Sequence, residues 1–499
     1  MTAAVTLPLV IQGGMGIGVS SWMLARAVSM QGQLGVVSGT CMDSLLVRRL
    51  QDGDVGGHIR RAIDRFPLPQ VGAEVLKKYF RPEGRAEDEP YALLPMYRQA
   101  VSRAREQVTV VASFVEVFLA KEGHGGQVGI NLLTKVQMPN LASLYGAMMA
   151  GVDYVLMGAG IPKEIPGALD AFARGEAARI AFDVEGLERG EREELTFDPG
   201  AHFEGPPAPL KRPRFLPIIS SESLARMLVK KANGRVDGFV VEGPTAGGHN
   251  APPRGPERIN DRGEPIYGER DEADLSGLRD LGLPFWLAGG TGSPEGLKSA
   301  LAEGAEGIQV GTLFAYADES GLAREYKDHV ITGALNGGVG ILTDGRASPT
   351  GFPFKVVQLR GSNSDRDRYE ARKRVCDLGY LRQAYKRPDG RIDYRCAAEP
   401  VATYVKKGGR HEDHVGRKCL CNALMANIGH GQVREEGEIE RPILTSGDEV
   451  SRLGNFLGGR RSYTAVDVLD YLLSGVVVRE ENTVVKNTVA ENAVATAQA

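Results

Sequence analysis

The sequence predicts an α/β protein folded as a TIM (β/α)8 barrel, and three observations support this fold class. Residues 1–345 alternate short apolar runs with helix-like stretches, which is the pattern of βα units around a parallel sheet. Several runs are apolar at consecutive positions, as expected for strands that are buried on both faces. Glycine-rich turns follow most of the runs, and 64 of the 499 residues are glycine, nearly twice the usual share of about 7%.

Eight apolar runs are the predicted barrel strands, and eight such strands fit a closed barrel better than an open doubly wound sheet. Capping serines precede several of the intervening helices, and a glycine follows each of these helices: Ser20 and Ser21, Ser221, and Ser293. In chain order, the predicted strands are Leu7–Gln12, Leu34–Ser38, Val128–Leu133, Tyr154–Met157, Phe215–Ile219, Gly238–Val241, Pro284–Leu287 and Gly307–Val310.

Two segments interrupt the predicted barrel, and an extension and a tail follow it. Residues 42–107, after strand two, are too long for a single crossover and are predicted to add helices over the barrel mouth. Residues 176–213 are rich in Glu, Arg and Pro and are interpreted as a solvated excursion. Residues 346–475 are predicted to form a cysteine-containing, mainly helical extension. Residues 476–499 lack aromatic residues and Leu, which predicts a disordered tail.

Composition excludes several classes of function. The 60 Lys and Arg residues nearly balance the 63 Asp and Glu residues, giving a net charge of −3, so we expect no binding to nucleic acid through a broad basic surface. No uncharged apolar run reaches the roughly 18 residues of a membrane span, and the N-terminus lacks the basic region of a signal peptide. We therefore expect a cytoplasmic protein without a membrane segment.

The five cysteines are an odd number and too few for a disulfide framework in a chain of this length. Cys376, Cys396, Cys419 and Cys421 lie in the predicted extension, where four thiolates would suit zinc or an iron–sulfur cluster. Their spacings match no standard metal framework, so we favour ordinary buried thiols and predict no metal. Cys41 follows strand two and either lines the active site or packs in the barrel wall.

Glycine-rich motifs follow the first, seventh and eighth predicted strands, on the face where barrel enzymes keep their chemistry. The GGMGIG sequence, Gly13 to Gly18, offers backbone that can lie flat against a large planar ligand. AGGTGSPEG (Ala288 to Gly296) and VGTLF (Val310 to Phe314) follow strands seven and eight, where barrels commonly bind phosphate through backbone N–H groups. Asn131, inside the apolar GINLL run, either satisfies its own turn or reaches a ligand.

The loop after strand six, VEGPTAGGHNAPPRG, contains the strongest candidate for proton transfer. His249 follows two glycines there, and Glu242 stands at the strand end. Imidazole titrates near neutral pH and can take or give a proton at a substrate carbon. An ordinary loop histidine that only makes a hydrogen bond is the alternative, but the setting favours a catalytic role.

Together, IQGGMGIGVS, GINLL, EGPTAGGH, LAGGTGSPEG and GAEGIQVGTLFAYADES resemble the nitronate monooxygenase family over residues 7–335. The resemblance implies a TIM barrel that depends on FMN and uses no metal. It also implies that the backbone of Gly14 and Met15 contacts the flavin, that Asn131 hydrogen-bonds near it, and that His249 acts as a base or donates a hydrogen bond to the nitro group. The remaining implied cofactor-binding residues are Gly248, Gly289, Gly290, Gly311 and Thr312, the last four of which would hold the phosphate.

The implied reaction is the oxidation of alkyl nitronates or nitroalkanes by O2 to a carbonyl compound and nitrite. Flavin-dependent enoyl-acyl-carrier-protein reductases that use NAD(P)H share the same barrel, FMN site and histidine, and this chain is closer to them in length. Asn250 replaces the usual small residue after the family histidine, which changes the shape of the substrate pocket. A barrel whose extension serves binding or assembly is a third hypothesis, and a homodimer is a further one.

Overall fold

In the computed structural model, which describes residues 7–202, 208–256 and 258–476, eight parallel strands form a ring. All eight predicted strands are confirmed, and the largest difference is at the first, which begins three residues later than predicted. The predicted tail lies outside the described residues from position 477 onward. The strands are β1 (Val10–Gln12), β2 (Gly35–Ser38), β3 (Val128–Leu133), β4 (Tyr154–Gly158), β5 (Arg214–Ile219), β6 (Phe239–Glu242), β7 (Phe285–Ala288) and β8 (Gly307–Val310).

The ring closes because β1 pairs with strands on both of its sides. It pairs in parallel with β8, where Ile11 stands opposite Gln309. On its other side, Ile11 forms a parallel bridge with Leu34, and the Leu34 amide donates a 3.1 Å hydrogen bond to the Val10 carbonyl. Closure leaves the barrel without a free strand edge and brings all eight carboxyl ends to one rim.

The barrel interior is an apolar core that excludes water below this rim. Trp286 is completely buried there, and its indole N–H donates a 2.7 Å hydrogen bond to the Pro8 carbonyl. Side chains two positions apart on a strand point to the same face, so a residue two positions after an interior core residue also points inward. The core residues are Ile11, Leu34, Val36, Tyr154, Leu156, Leu216, Val240, Trp286 and Ala288.

Helices surround the ring, and the predicted caps are confirmed at three of them. The hydroxyls of Ser21, Ser221 and Ser293 accept hydrogen bonds from the amides of Leu24, Leu224 and Gly296. The helices that follow the eight strands are Trp22–Met30, Arg103–Lys121, Asn140–Met149, Ile165–Ala173, Glu222–Lys231, Leu275–Arg279, Pro294–Ala302, Thr312–Ala315 and Arg324–Leu335.

The segment after β2 is helical, but its position differs from the predicted one. Helices Met42–Gln51, His58–Ile63 and Pro69–Tyr79 pack against the outer helix Arg103–Lys121. Residues 42–107 are all described, and none of them lines the cavity at the barrel mouth. The apolar faces of these helices are buried against the long outer helix. A helix that covers the barrel mouth would show the same apolar face, so the sequence does not distinguish the two positions.

The excursion after β4 is only partly solvated. Strands Ala178–Phe182 and Glu193–Phe197 pair antiparallel, and alternate side chains on each strand are buried. The short strand Val184–Glu185 pairs with Gln383–Lys386 of the extension, which pairs in turn with Ile392–Arg395. The exposed faces of these strands carry charged side chains. The composition of the segment is therefore polar, and the sequence analysis did not recognise the alternation. Helix Pro199–His202 follows the second of these antiparallel strands.

The extension contains both helices and strands. Strand Phe354–Val357 pairs antiparallel with Ile341–Asp344. Helix Ala465–Leu473 packs against three barrel helices, Trp22–Met30, Pro294–Ala302 and Thr312–Ala315. In the part of the chain that the structure describes, no helix combines the length and apolar character needed to cross a membrane. The remaining helices are Arg366–Ala371, Val401–Lys406, Leu420–Ala426 and Leu453–Leu457, with single 3-10 turns at Glu269–Asp271, His411–His414, Glu435–Gly437 and Asp448–Arg452.

Barrel closure can be tested at Gly307, the first residue of β8. A Cβ atom at this position would lie 1.9 Å from the Leu9 carbonyl oxygen just before β1, so Gly307→Ala must push the two strands apart. We expect the substitution to lower the free energy of unfolding by about 3 kcal/mol, measured by urea denaturation. Gly338→Ala is the matched control, since nothing lies within 4 Å of its Cβ position. Equal stability of the two variants would contradict this account of closure.

Candidate functional site

A cavity of about 410 Å³ opens at the carboxyl rim of the barrel. Its walls are built from residues at or after the ends of all eight strands and from three segments of the extension. Gly290 follows the lining residue Gly289 without itself lining the cavity. The other sequence-predicted residues lie together on the cavity wall: Gly14, Met15, Asn131, Gly248, His249, Gly289, Gly311 and Thr312.

The β1 loop is shaped by one serine that the sequence analysis treated only as part of a helix cap. The Ser20 hydroxyl donates a 2.9 Å hydrogen bond to the Gly13 carbonyl and accepts one of 2.9 Å from the Met15 amide. Gly14 lies so close to Asn131 that a Cβ atom on it would be 2.2 Å from the asparagine Cβ. Any residue other than glycine at position 14 would therefore collide with the Asn131 side chain, where the β1 loop passes over the barrel.

Three polar side chains point upward from the barrel interior and form the cavity floor: Asn131 of β3, Glu242 of β6 and Gln309 of β8. The Asn131 amide donates to the Gly14 carbonyl at 3.3 Å. Its oxygen and the Gln309 side-chain oxygen are buried and have no hydrogen-bond partner among the described residues. Such atoms are costly unless a bound molecule donates to them, so the floor fits a ligand that carries hydrogen-bond donors.

The loops after β7 and β8 form a cradle of backbone amides. Gly289 and Gly290 have φ values of +86° and +76°, a conformation that glycine adopts without strain. In the described part of the chain, the amides of Gly290, Gly311 and Thr312 donate no hydrogen bond. Free amides at paired loops beside the start of helix Pro294–Ala302 suit the phosphate of a cofactor such as FMN.

His249 lies on the cavity wall in the loop after β6. Its Nε2 atom is 2.8 Å from the Ser348 hydroxyl, and its ring centre lies 4.8 Å from that of Phe354. Burial in this apolar wall lowers the pKa of the imidazole to about 4. The ring is therefore neutral at neutral pH and available to accept a proton.

The extension fixes this loop through its backbone. The Asn250 amide donates to the Pro353 carbonyl at 2.9 Å, and the Lys355 amide donates to the Gly248 carbonyl at 3.0 Å. The Gly248 amide in turn donates to the Thr445 hydroxyl at 2.8 Å. We call these three bonds the loop clamp. The loop after β6 thus takes its conformation from residues about 100 and 200 positions downstream.

The segment Thr445–Glu449, which we call the strap, covers the cavity beside the amide cradle. The Gly447 amide donates to the Thr312 hydroxyl at 3.1 Å, and the Asp448 amide donates to the Thr245 carbonyl at 3.0 Å. The Glu449 carboxylate accepts the Gly292 amide, while its burial raises the carboxyl pKa. The buried Lys355 ammonium donates to Asp448 at 2.8 Å and so joins the strap to the clamp.

The structure adds residues that the sequence analysis did not identify: Ser20, Gln309, Ser348, Phe352, Phe354, Thr445 and Glu449. For Gln309 a signal was present, because a polar side chain inside the apolar GIQV run resembles Asn131 inside GINLL. The extension residues carry no such local signal. Glu242, noted only for its place at a strand end, proves to face the cavity.

The cysteines lie away from this cavity. Cys41 is buried in the apolar core and does not line the cavity, although its neighbour Thr40 does. The other four thiols surround a separate cavity of only about 10 Å³ in the extension, where burial raises the pKa of each thiol. In the described ranges, no group of three or more His, Cys, Asp and Glu side chains is arranged to hold a metal ion.

Part of the chain matches a known protein family. Residues 210–345, from β5 past β8, match the family model described as nitronate monooxygenase. Over 134 residues the chain is 27% identical to a probable nitronate monooxygenase from Staphylococcus saprophyticus. That match covers 25% of this chain and 36% of the relative, so the chain spans about a third of the length of the curated protein it resembles.

Two solved structures are also similar over nearly the whole chain. FabK from Thermotoga maritima is 15% identical, with a TM-score of 0.45, over 94% of this chain and 92% of its own. A nitroalkane oxidase from Streptomyces ansochromogenes is 16% identical, with a TM-score of 0.43, over 94% of this chain and 95% of its own. Because these TM-scores are low, we assign the fold from the strand pairing of this chain and not from the two similar structures.

Replacing Lys355 tests the connection between clamp and strap. Lys355→Met keeps the aliphatic stem and the backbone bond to Gly248 but removes the ammonium that holds Asp448. We expect at least a tenfold faster amide exchange in a peptide covering residues 445–449, measured by hydrogen–deuterium exchange, because local opening becomes about 1.4 kcal/mol easier. Lys373→Met, which breaks the exposed pair with Glu435, should leave the strap unchanged. Equal exchange in both variants would show that the ammonium does not hold the strap.

Proposed function

We infer that this chain, of which residues 210–345 match the nitronate monooxygenase family model, is a flavin-dependent oxidoreductase of alkyl nitronates. The proposed reaction consumes a nitronate or nitroalkane and O2 and yields a carbonyl compound and nitrite. One observation carries the proposal: a neutral histidine, an amide cradle and a floor of unpaired amide oxygens meet in a single cavity. FMN is the flavin that we propose, since it carries a phosphate that the cradle would bind.

The residues present fit FMN at both of its ends. The free amides of Gly290, Gly311 and Thr312 would hold the phosphate without any cationic side chain. The unpaired oxygens of Asn131 and Gln309 would accept hydrogen bonds from the ring system. When bound, the flavin would supply the redox chemistry of the reaction. The protein would supply the binding, orientation and proton transfer.

His249 would act on the proton of the substrate. A neutral imidazole can remove the α-proton of a nitroalkane, whereas a preformed nitronate has already lost that proton and needs no base. The Ser348 hydroxyl at Nε2 fixes the orientation of the ring. The aromatic rings of Phe352 and Phe354 stand against the histidine and keep this side of the cavity apolar, which favours the neutral imidazole.

An anaerobic titration tests the proposed function. We expect the purified protein to bind FMN and the flavin absorbance to bleach when a nitronate such as that of 2-nitropropane is added without a nicotinamide. Admission of O2 should restore the absorbance and release nitrite. Bleaching by NAD(P)H followed by reoxidation with a 2-enoyl thioester would instead identify an enoyl reductase. A protein that takes up no FMN would refute both activities.

Substituting His249 separates its role as a base from a role in binding. His249→Asn should lower the rate with neutral nitroalkane at least 100-fold and largely spare the rate with nitronate. Because the imidazole pKa is about 4, the wild-type rate with nitroalkane should stay constant from neutral pH down to about 5 and fall as pH drops through 4. His329→Asn, on an exposed helix position, is the control. Equal losses on nitroalkane and nitronate would refute the base role.

A further inference from the structure

Glu242 is the one floor residue with a carboxyl group, and the barrel geometry fixes where it points. It ends β6 and stands opposite Ala288 of β7. Val240, two residues earlier, belongs to the interior core. Since side chains two apart share a face of the strand, the Glu242 side chain also points inward. It therefore rises from the core into the bottom of the cavity that it lines.

No described group neutralises this carboxyl. Glu242 makes neither a hydrogen bond nor an ion pair with any residue that the structure describes. Arg254, an arginine that lines the cavity, instead donates to the Ser220 carbonyl at 3.0 Å.

The fully buried carboxylates among the described residues are paired, whereas Glu242 is half-buried. Asp43 lies 2.7 Å from a guanidinium nitrogen of Arg105, and Glu440 accepts hydrogen bonds of 2.6 Å from both Arg372 and Arg434. Without such a partner, removal from water disfavours the ionised form of a carboxyl group and favours the protonated form.

We propose that Glu242 is a neutral carboxylic acid that donates a hydrogen bond from the barrel floor to an electron-rich oxygen of the molecule bound in the cavity. This inference rests on the proposed function, because that function supplies two such oxygens: a carbonyl oxygen of the flavin or an oxygen of the nitronate. A protonated carboxyl offers one donor, whereas its ionised form offers none and repels an anion. Glu242 thereby favours an anionic substrate without any cation in the floor.

Other titratable groups share the cavity, and none of them matches the expected behaviour of Glu242. Burial raises the pKa of Glu242 to about 8. His249 has a pKa of about 4, and burial raises those of Tyr267 and Tyr316 to about 12. Asp271 at the mouth accepts the amides of Arg254 and Gly268. Glu449 of the strap is the other cavity carboxyl with a raised pKa, so it must be tested as a control.

The experiment measures binding against pH for two probes, so that the source of the oxygen is distinguished. FMN affinity is followed by fluorescence quenching of the free flavin. Affinity of the FMN-loaded protein for isobutyrate, a carboxylate of the shape of the 2-nitropropane anion that cannot react, is followed by the flavin absorbance. In the wild-type protein, we expect one of these affinities to be constant from pH 6 to 7 and to fall about tenfold per pH unit above 8.

Two substitutions assign that fall to Glu242. Glu242→Gln keeps a donor but cannot ionise, so its affinity should stay flat to pH 9. Glu242→Ala has no donor, and its affinity should be about tenfold weaker than wild type at pH 6.5 and equally flat. Glu449→Gln should keep the wild-type fall above pH 8. A fall confined to FMN identifies the flavin as the acceptor, and a fall confined to isobutyrate identifies the substrate.

The inference would be overturned if Glu242→Gln kept the wild-type pH dependence with both probes. A direct measurement separates this failure from a failure of the proposed function. The carboxyl carbon of Glu242, assigned by comparing 13C-glutamate spectra of the wild-type protein and the Glu242→Gln variant without flavin, should titrate near pH 8. Titration near 4.5 would refute a neutral Glu242 whether or not FMN binds. A protein that binds no FMN, with Glu242 still titrating near 8, would refute the proposed function alone.

Discussion

The conformation of the cavity depends on the backbone hydrogen bonds that fasten the loop after β6 to the extension. A loop containing Gly243, Gly247 and Gly248 has little conformational preference of its own, and fixing it costs backbone entropy. The bonds from Lys355 to Gly248 and from Asn250 to Pro353 supply that order from a strand already paired in its own hairpin. His249 stands between these two bonds, so its position follows from the clamp.

The same arrangement explains why the site needs little charge. The imidazole is neutral because its wall is apolar, and the cradle offers amides where a basic patch would otherwise bind phosphate. Backbone amides cannot lose their protons at any relevant pH, and they keep their direction when the strands that hold them are fixed. A chain with a net charge of −3 is therefore compatible with the proposed phosphate site, because binding through backbone amides does not depend on the net charge of the surface.

The sequence predicted the barrel well because each strand is defined locally. A run such as Tyr154–Met157 is apolar on both faces, and only a strand between barrel core and outer helices satisfies that pattern. The positions of His249 and the glycine cradle followed from the same reasoning, since residues after parallel strands gather at one rim. The boundary of β1 differed because Leu7 and Pro8 precede the pairing with β8.

The contribution of the extension could not be predicted in this way. Ser348 lies 99 residues from its partner His249, and Thr445 lies 197 residues from Gly248. Neither stands in a periodic segment, and the first bond joins side chains whose approach depends on how several short elements pack. Pairings over such separations are specified by the whole fold rather than by local sequence. The strands Ala178–Phe182 and Glu193–Phe197 were missed for a different reason, since charge on one face masked a regular alternation.

The polar floor of the barrel is where stability and function are in conflict. Apolar side chains at Asn131, Glu242 and Gln309 would continue the interior core upward and remove two unpaired amide oxygens and an unpaired carboxyl. A buried polar atom without a partner costs about 1–3 kcal/mol, so the two amide oxygens are a substantial fraction of the 5–15 kcal/mol by which domains are usually stable. A ligand that donates hydrogen bonds to both of them recovers that free energy on binding. The floor thus couples the stability of the barrel to the molecule it holds, and the ligand must match the floor in hydrogen bonding and not only in shape.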